Sequence, residues 1–512
     1  MPVRASVEGR ILTLLFVVGL RVLENILYFK KFGPLSSPAA DIWYFMGVAR
    51  GHQHLFPLDP LQWILPLFGS CETQTLFVLL LVLSNGLHLL TVVLLFGLLR
   101  EAYREERAAL WAAVAYGCFH TSCLFCTGSF HHQQVVLPVL IGAMWSGCRF
   151  LNAKEARRNA GIALALLGAL GLCIGPDALV LLVAAVPCGA AWHFRNRGAP
   201  AKRLLVGTLL LGCFAGGVIL LGPWFQKLAV ALASNLRGIN LAAQRELNVG
   251  DLIPFTGRQF WAAYFWFGLV LIVMVCRAWL LGRWIEIAFL LTALLFAARA
   301  GRFYFVVEIG LVILAGWMLA RDPWLARSAR VVHVAGGLLV LALLATEIQR
   351  GFLCLCPGMI PSVLFHVRKD ARPEKKILCT PTHGFIVREA SGAKPTSDMH
   401  HLNGTWMELA VKPAGEAVAE LKKRGVTHIF FTSHDFEEAI ERMPDGRWVV
   451  GTYCSGGLER HLPRLSQDMA QRSLVAQVFT PSFQTFPIKG LKLLSAVQDR
   501  ATRLKIVLYR LD

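Results

Sequence analysis

The chain has 512 residues, of which 55% are hydrophobic and only 16% charged, against roughly 25% charged in an ordinary soluble protein. The shortage is local: residues 10–361 are a series of apolar runs broken by short charged clusters, whereas 366–512 has the composition of a water-soluble domain. A wholly soluble enzyme and a single-pass anchor are both excluded, and the net charge of +19 (51 Lys and Arg against 32 Asp and Glu) does not point to nucleic acid, because many of the basic residues lie between apolar runs, where they set membrane topology.

A membrane-crossing helix needs about 20 mainly apolar residues. That length predicts about eleven spans, near 11–29, 76–99, 108–127, 132–150, 159–175, 177–194, 204–224, 260–280, 284–298, 303–320 and 331–347. Arg4 and Arg10 precede the first span. Arg100, Arg104 and Arg107 follow the second, Arg149, Lys154, Arg157 and Arg158 the fourth, and Arg195, Arg197, Lys202 and Arg203 the sixth. Arg277 and Arg283 follow the eighth, and Arg321, Arg327 and Arg330 the tenth. The short connections on the other side, Gly128–His131 and Gly175–Pro176, carry no Lys or Arg. This alternation puts the N-terminus in the cytoplasm and, with an odd number of spans, the C-terminal domain outside. Arg21, Glu24, Lys30 and Lys31 stand between the first apolar run and the small residues Ser36–Ala40, so the run reads as an uncleaved anchor and not a signal peptide. The expectation is a polytopic α-helical membrane domain, 1–365, with long outer connections at 30–75 and 225–259, followed by an extracytoplasmic α/β domain, 366–512. Within the second connection, Ala229–Leu247 interleaves Val230, Leu232, Leu236, Ile239 and Leu241 with Asn235, Arg237, Asn240 and Arg245. It fits a helix lying either in the membrane interface or on the protein.

In the outer domain, Ile377–Thr380, Val426–Thr432 and Leu504–Leu511 read as strands. Ala414–Arg424 reads as a helix stopped by Gly425, with Lys422, Lys423 and Arg424 in its last turn.

Charged groups within a span cost roughly 2.5–3.5 kcal/mol each on insertion scales, so each needs a reason. Arg21 and Glu24, three apart on the first span, predict a structural pair. Asp41 opens Asp41-Ile-Trp-Tyr44-Phe-Met-Gly-Val-Ala49-Arg50-Gly51, a stretch of helical spacing. An acid there serves either as a helix cap or as a carboxylate at the membrane surface that takes a proton from an acceptor hydroxyl. Arg302 and Tyr304 open the tenth span. They read either as a snorkelling interfacial pair or as a guanidinium and phenol at headgroup depth, able to hold a phosphate. Glu308, about two turns deeper, should face the bundle interior. His52 and His54, with His131-His132, lack acids nearby in sequence and read as interfacial polar residues and not as metal ligands. Cys123-Leu-Phe-Cys126 lies in a span without a second ligand pair and reads as packing. Cys354, Cys356, Cys379 and Cys454 lie outside, where a disulfide is permitted but spacing selects no pairing. No nucleotide-binding glycine loop is present. In the outer domain His428 and His434-Asp435 lack a spaced partner, so a Ser-His-Asp centre there is not supported.

The arrangement resembles the polytopic GT-C glycosyltransferases, specifically bacterial relatives of the dolichyl-phosphate-mannose protein mannosyltransferases. The resemblance rests on the acid and aromatic helix from Asp41, on Gly175-Pro176-Asp177-Ala178-Leu179, on Arg302-Phe-Tyr304, on Leu421-Lys-Lys-Arg-Gly425-Val-Thr-His428-Ile-Phe, and on Val507-Leu-Tyr-Arg510-Leu. Three departures are clear: Ile42 follows Asp41 where relatives carry a second acid, Gly175 stands where they carry Arg, and Glu308 where prolines are more common. The resemblance implies an inverting glycosyltransferase at the outer face of the cytoplasmic membrane. It would use a polyprenyl-phosphate-linked sugar donor and a lipid, glycan or protein acceptor among the membrane lipids. Asp41 would be the general base, Arg302 and Tyr304 would bind the donor phosphate, and His52, His54, Asp59, Asp177 and Glu308 would be auxiliary. The resemblance implies no certain cofactor: cationic side chains can suffice for a monophosphate leaving group, and a divalent metal is an option. Two other readings stay open: a transporter or flippase of lipid-linked sugars, and a catalytically degenerate scaffold. The outer domain is expected to cover the membrane cavity and position the acceptor.

Overall fold

The computed structural model describes residues 7–38, 41–53, 55, 59–119, 127–152, 157–174, 257–299, 304–352, 354, 356–380, 383–397, 409–410, 412–433, 440–442, 448–450, 464–465, 472–479, 488–502 and 504–512. The helical part begins with α1 (Val7–Phe32). A long connection follows, holding α2 (Asp41–Ala49), α3 (Pro60–Ile64) and a 3-10 turn (Leu65–Phe68). Next come α4 (Thr73–Tyr103), α5 (Glu106–Gly117), α6 (His132–Asn152), α7 (Arg157–Ile174), α8 (Gly257–Leu280), α9 (Trp284–Arg299), α10 (Tyr304–Arg321) and α11 (Ala329–Arg350). Helices therefore occur at nine of the eleven predicted segments; 177–194 and 204–224 lie outside the described residues, as does Ala229–Leu247. Among the described residues, two helices can by length and composition cross a membrane on their own, Thr73–Tyr103 with mean hydropathy 2.4 and Ala329–Gln349 with 2.1. The described part of α5 has 12 residues and α9 has 16, so neither meets the crossing length used to predict it.

The helices are apolar on both faces. Inward, α10 buries Phe305, Val306, Val307, Ile309, Leu311, Val312 and Leu314 against α5 and α9. Outward, α1 exposes Leu15, Val22, Leu23 and Ile26, and α11 exposes Val334, Leu338, Leu341 and Ile348. Exposed apolar rows on a helix are the reverse of what water selects and suit lipid. Arg21 pairs with Glu24 as its spacing predicts, and it also donates to the carbonyl of Gly117 at the end of α5.

After α11 come α12 (Met359–Arg368), β1 (Lys376–Leu378), α13 (Gly384–Ser391), β2 (Lys394–Pro395), α14 (Ala414–Lys423), β3 (His428–Thr432), β4 (Ile440–Arg442), β5 (Trp448–Val450), β6 (Arg464–Leu465), α15 (Leu474–Phe479), β7 (Leu491–Gln498) and β8 (Lys505–Leu511). The larger sheet has the order β2-β1-β3-β8-β7, with β2, β1 and β3 parallel and β8 antiparallel to both β3 and β7; β4-β5-β6 form a second, antiparallel sheet. Helices α13 and α14 supply crossovers between parallel strands. Helix α14 ends before Gly425, whose φ of +70° suits a residue without a Cβ. The strands predicted at 377–380, 426–432 and 504–511 correspond to β1, β3 and β8. Helix α12 crosses position 365, where the sequence divides the chain. Cys354, Cys356 and Cys379 carry free thiols, and burial pushes the Cys354 thiol up to about 12; Cys454, and the pair Cys123 and Cys126, lie outside the described residues.

His428 is fully buried in β3, with Nε2 3.2 Å from Oδ2 of Asp370. Burial pushes its imidazole down to about 4, with Asp370 pulling the other way and Arg372, Lys375 and Arg510 adding to the fall. In the unfolded chain a histidine titrates near 6.5, so protonation favours the unfolded state. The stability His428 contributes is intact above about pH 6.5 and is lost progressively as the pH falls towards 4. Melting curves across that window should show a steeper acid decline for the wild type than for His428→Gln; parallel curves would contradict this.

Candidate active site

The site is built around α2. Its successive residues contact three different partners, as a 100° turn per residue requires. Trp43 meets Phe77 of α4 at 5.8 Å between ring centroids, Tyr44 meets Phe385 of α13 at 5.1 Å, and Phe45 meets Phe130 at 4.6 Å. Every residue from Ile42 to Ala49 is buried. The helix is therefore wedged between α4, α13 and the turn before α6, and only its first residue is part-exposed.

That residue is Asp41. It lies within the first turn of α2 instead of capping it. Its side chain is 46% exposed, and Oδ2 lies 2.5 Å from Nδ1 of His131. The His131 position is itself fixed: its backbone N–H donates to Oε1 of Gln134 at 3.0 Å, and the Gln134 amide donates to Oγ of Ser84 at 2.7 Å. The turn that delivers His131 passes through Gly128, with φ +67° and its N–H donating to Oδ1 of Asn25. The next residue, His132, makes a second imidazole–carboxylate pair, Nε2 to Oδ2 of Asp59 at 2.9 Å. Asp59 is buried and also accepts from the Leu61 N–H at 3.0 Å as the cap of α3. The adjacent histidines at the start of α6 thus hold two points of the long connection, Asp41 and Asp59. Sequence spacing read His131-His132 as lacking nearby acids; the fold supplies two, Asp41 and Asp59, from about 70–90 residues away. A pairing at that separation leaves no periodic signal.

The other sequence candidates are dispersed. His52 pairs with Glu389 of α13, its Nδ1 2.9 Å from Oε1, and not with Asp41. Glu308 is fully buried in α10, on the bundle interior as its depth predicts. Tyr304 is the first residue of α10. His54, Asp177, Arg302 and His434-Asp435 lie outside the described residues. Glu389, which sequence reasoning missed entirely, is buried between Arg50 and His52.

The donor set fits a divalent cation poorly. Asp41 and His131 are bonded to each other, and among the described residues no group of three His, Cys, Asp or Glu side chains converges to hold a metal. Hard cations take six or more ligands, chiefly oxygens. The chemistry available is that of a part-exposed carboxylate oriented by a hydrogen-bonded imidazole, which is the geometry of a proton acceptor.

No protein-family model and no curated protein sequence matches this chain. Solved structures do. The oligosaccharyltransferase of Archaeoglobus fulgidus, tethered to an acceptor peptide containing the NVT sequon, superposes with a TM-score of 0.60 at 11% identity, over 96% of this chain and 79% of that one. The same organism's AglB, in complex with an inhibitory peptide and a dolichol-phosphate, gives 0.57 at 12% identity over 96% and 79%. The mycobacterial arabinofuranosyltransferase AftD gives 0.50 at 12% identity, over 97% of this chain and 41% of the larger protein. At these identities the likeness is one of fold, and across nearly the whole chain that fold is the GT-C fold of membrane glycosyltransferases.

Proposed function

We propose that this protein transfers a sugar from a polyprenyl-phosphate donor to an acceptor hydroxyl at the outer face of the cytoplasmic membrane, with inversion at the anomeric carbon. The observation that carries this reading is the placement of Asp41: a part-exposed carboxylate at the open end of a buried helix, oriented by His131. In the reaction the acceptor oxygen attacks the anomeric carbon as Asp41 takes its proton. The bond from that carbon to the phosphate oxygen breaks, and its electron pair leaves on the lipid phosphate. Negative charge thus moves from Asp41 to the phosphate. His131 holds the carboxylate in one orientation before transfer. Arg302, with Tyr304 beside it, would meet the phosphate as its charge grows, which stabilises the transition state more than the ground state. No step needs a metal. The GT-C fold supports the reaction class, and the complex of AglB with a dolichol-phosphate supports a lipid-phosphate donor. The resemblance of the Asp41 helix and of Arg302-Phe-Tyr304 to the protein mannosyltransferases supports a monophosphate carrier. The alternation of basic connections supports the outer face.

The test is direct. Purified protein in liposomes, given a radiolabelled polyprenyl-phosphate sugar and a membrane-extract acceptor fraction, should release polyprenyl phosphate in step with labelled product. Movement of labelled lipid across the bilayer without release would instead indicate a flippase, and neither event a scaffold.

A further inference from the structure

The mechanism above leaves several buried acids unused, among them Glu286, Glu308, Asp322 and Glu389. Glu389 of α13 is 2% exposed. Its Oε2 lies 3.0 Å from Nη1 of Arg50 and its Oε1 lies 2.9 Å from Nδ1 of His52. Both partners belong to the turn directly after α2. The same guanidinium of Arg50 reaches the Glu389 carbonyl at 3.3 Å and donates through Nη2 to Oγ1 of Thr73, the first residue of α4, at 2.9 Å. Arg368 of α12 donates to the Glu389 carbonyl at 2.9 Å, and Arg388 of α13 donates to the carbonyl of His52 at 3.3 Å. The turn itself is folded around Gly47, whose carbonyl accepts from both His52 and Gln53. A Cβ at Gly47 would stand 2.9 Å from Cγ of Gln53 and 3.1 Å from Oε1 of Glu389, so the glycine admits the carboxylate.

Four elements therefore meet at one acid: the end of α2, the start of α4, α12 and α13. Removing a buried charge from water is compensated only when it is fully paired and hydrogen-bonded, and this one has both a guanidinium and an imidazole. Glu389 holds the far end of α2, and Asp41 is the first residue of that same nine-residue helix, so a shift at one end is carried to the other. Apolar packing of Tyr44 on Phe385 fixes the separation of α2 and α13 but constrains sliding along them less than directional ionic bonds do.

We infer that Glu389 is a positioning residue for the transfer reaction: it latches the C-terminal α/β unit to the turn after α2 and thereby sets the position of Asp41. The inference rests on the assignment of Asp41 as base given above. Glu389→Gln keeps the shape and removes the charge. In the reconstituted full-length protein, amide exchange of the 41–50 segment should quicken by about tenfold or more, with α4 and α10 unchanged, because a segment opens locally as easily as the interactions tying it down allow. Turnover should fall by about 100-fold at unchanged donor KM, the scale of loss that a small misplacement produces. Glu389→Asp, which retains the charge, should recover most of that turnover. A general loss of fold would instead speed exchange in α4 and α10 as well. In that event His52→Ala, which removes one of the two ionic partners and leaves Arg50 paired, takes over as the test, with the same confined exchange change expected at reduced size. Unchanged exchange at 41–50, or quickened exchange with normal turnover, overturns the inference. If the wild type transfers no sugar, the proposed function fails by itself, while the exchange measurement still decides whether Glu389 holds α2.

Discussion

Replacing Asp41 by Asn should lower sugar transfer by about 10³-fold, within the range attributed to a general base, while melting stays near wild type. The asymmetry follows from where Asp41 sits. Its side chain is half in solvent at the end of α2, so an isosteric amide costs little in packing. Its carbonyl oxygen still accepts from His131 if that imidazole donates, so the turn before α6 keeps its anchor. What disappears is basicity. The acceptor hydroxyl then has no partner to take its proton as the new bond forms, and charge cannot move off the protein onto the lipid phosphate. Initial rates with a radiolabelled polyprenyl-phosphate sugar measure the effect, and the donor KM should hold, because the donor phosphate is assigned to Arg302 and Tyr304. An Asp41→Asn protein with wild-type turnover would remove this residue from the mechanism.

The second large effect is expected at Gly128, and it is structural first. A Cβ there would lie 2.5 Å from Cε1 of the Tyr28 ring, and Tyr28 is 1% exposed on α1 with no room to retreat. The backbone also has φ +67°. For a residue with a side chain, that conformation costs roughly 1–2 kcal/mol, and overpacking adds roughly 1–3 kcal/mol. Gly128→Ala should therefore destabilise the protein by about 2–5 kcal/mol. The damage reaches the site because Gly128 shapes the turn that ends at His131 and His132. Denaturant or thermal melts of the detergent-solubilised variant, with transfer rates measured well below the melting point, separate the two consequences. A variant with wild-type melting would show that α1 gives way there.

How much of this could be read from the chain depends on range in sequence. Apolar runs and basic connections located helices at nine of eleven predicted segments, because both signals are local. The same holds for β3 and for α14 with its stop at Gly425. The pairing of Arg21 with Glu24 was legible because helical neighbours three apart share a face. Asp41 was visible as an acid opening an aromatic helix, but its partner was not: His131 is brought to it by contacts between distant parts of the chain, among them Phe45 on Phe130 and Gly128 on Asn25. Asp59 and His132 meet for the same reason. Glu389 gave no sign at all, since α13 carries it as one acid among the ordinary residues of a soluble-looking domain. Its significance lies in Arg50 and His52, which lie 339 and 337 residues away in sequence. His52 illustrates the converse, a residue singled out near the candidate base that the fold assigns to a different carboxylate.

The junction near Ser37 has a consequence for how the protein is made. The chain leaving α1 is stitched to the segment following α11: Ser37 and Cys356 exchange backbone hydrogen bonds at 2.8 and 3.0 Å, and the Gly358 N–H donates to the carbonyl of Phe32. A Cβ at Gly358 would strike the Pro34 carbonyl at 2.3 Å, so the two strands of chain are in close contact. These partners are separated by almost the entire helical bundle in sequence, and contacts of such high order form late. During biosynthesis the segment bearing Asp41 emerges with the earliest helices and meets Phe77, Phe130 and His131 soon after, whereas the Ser37 junction has no partner until the chain beyond α11 has been made. The connection that carries the proposed base is thus closed at its Ser37 end only once the whole bundle has been made, which places completion of this region late in synthesis.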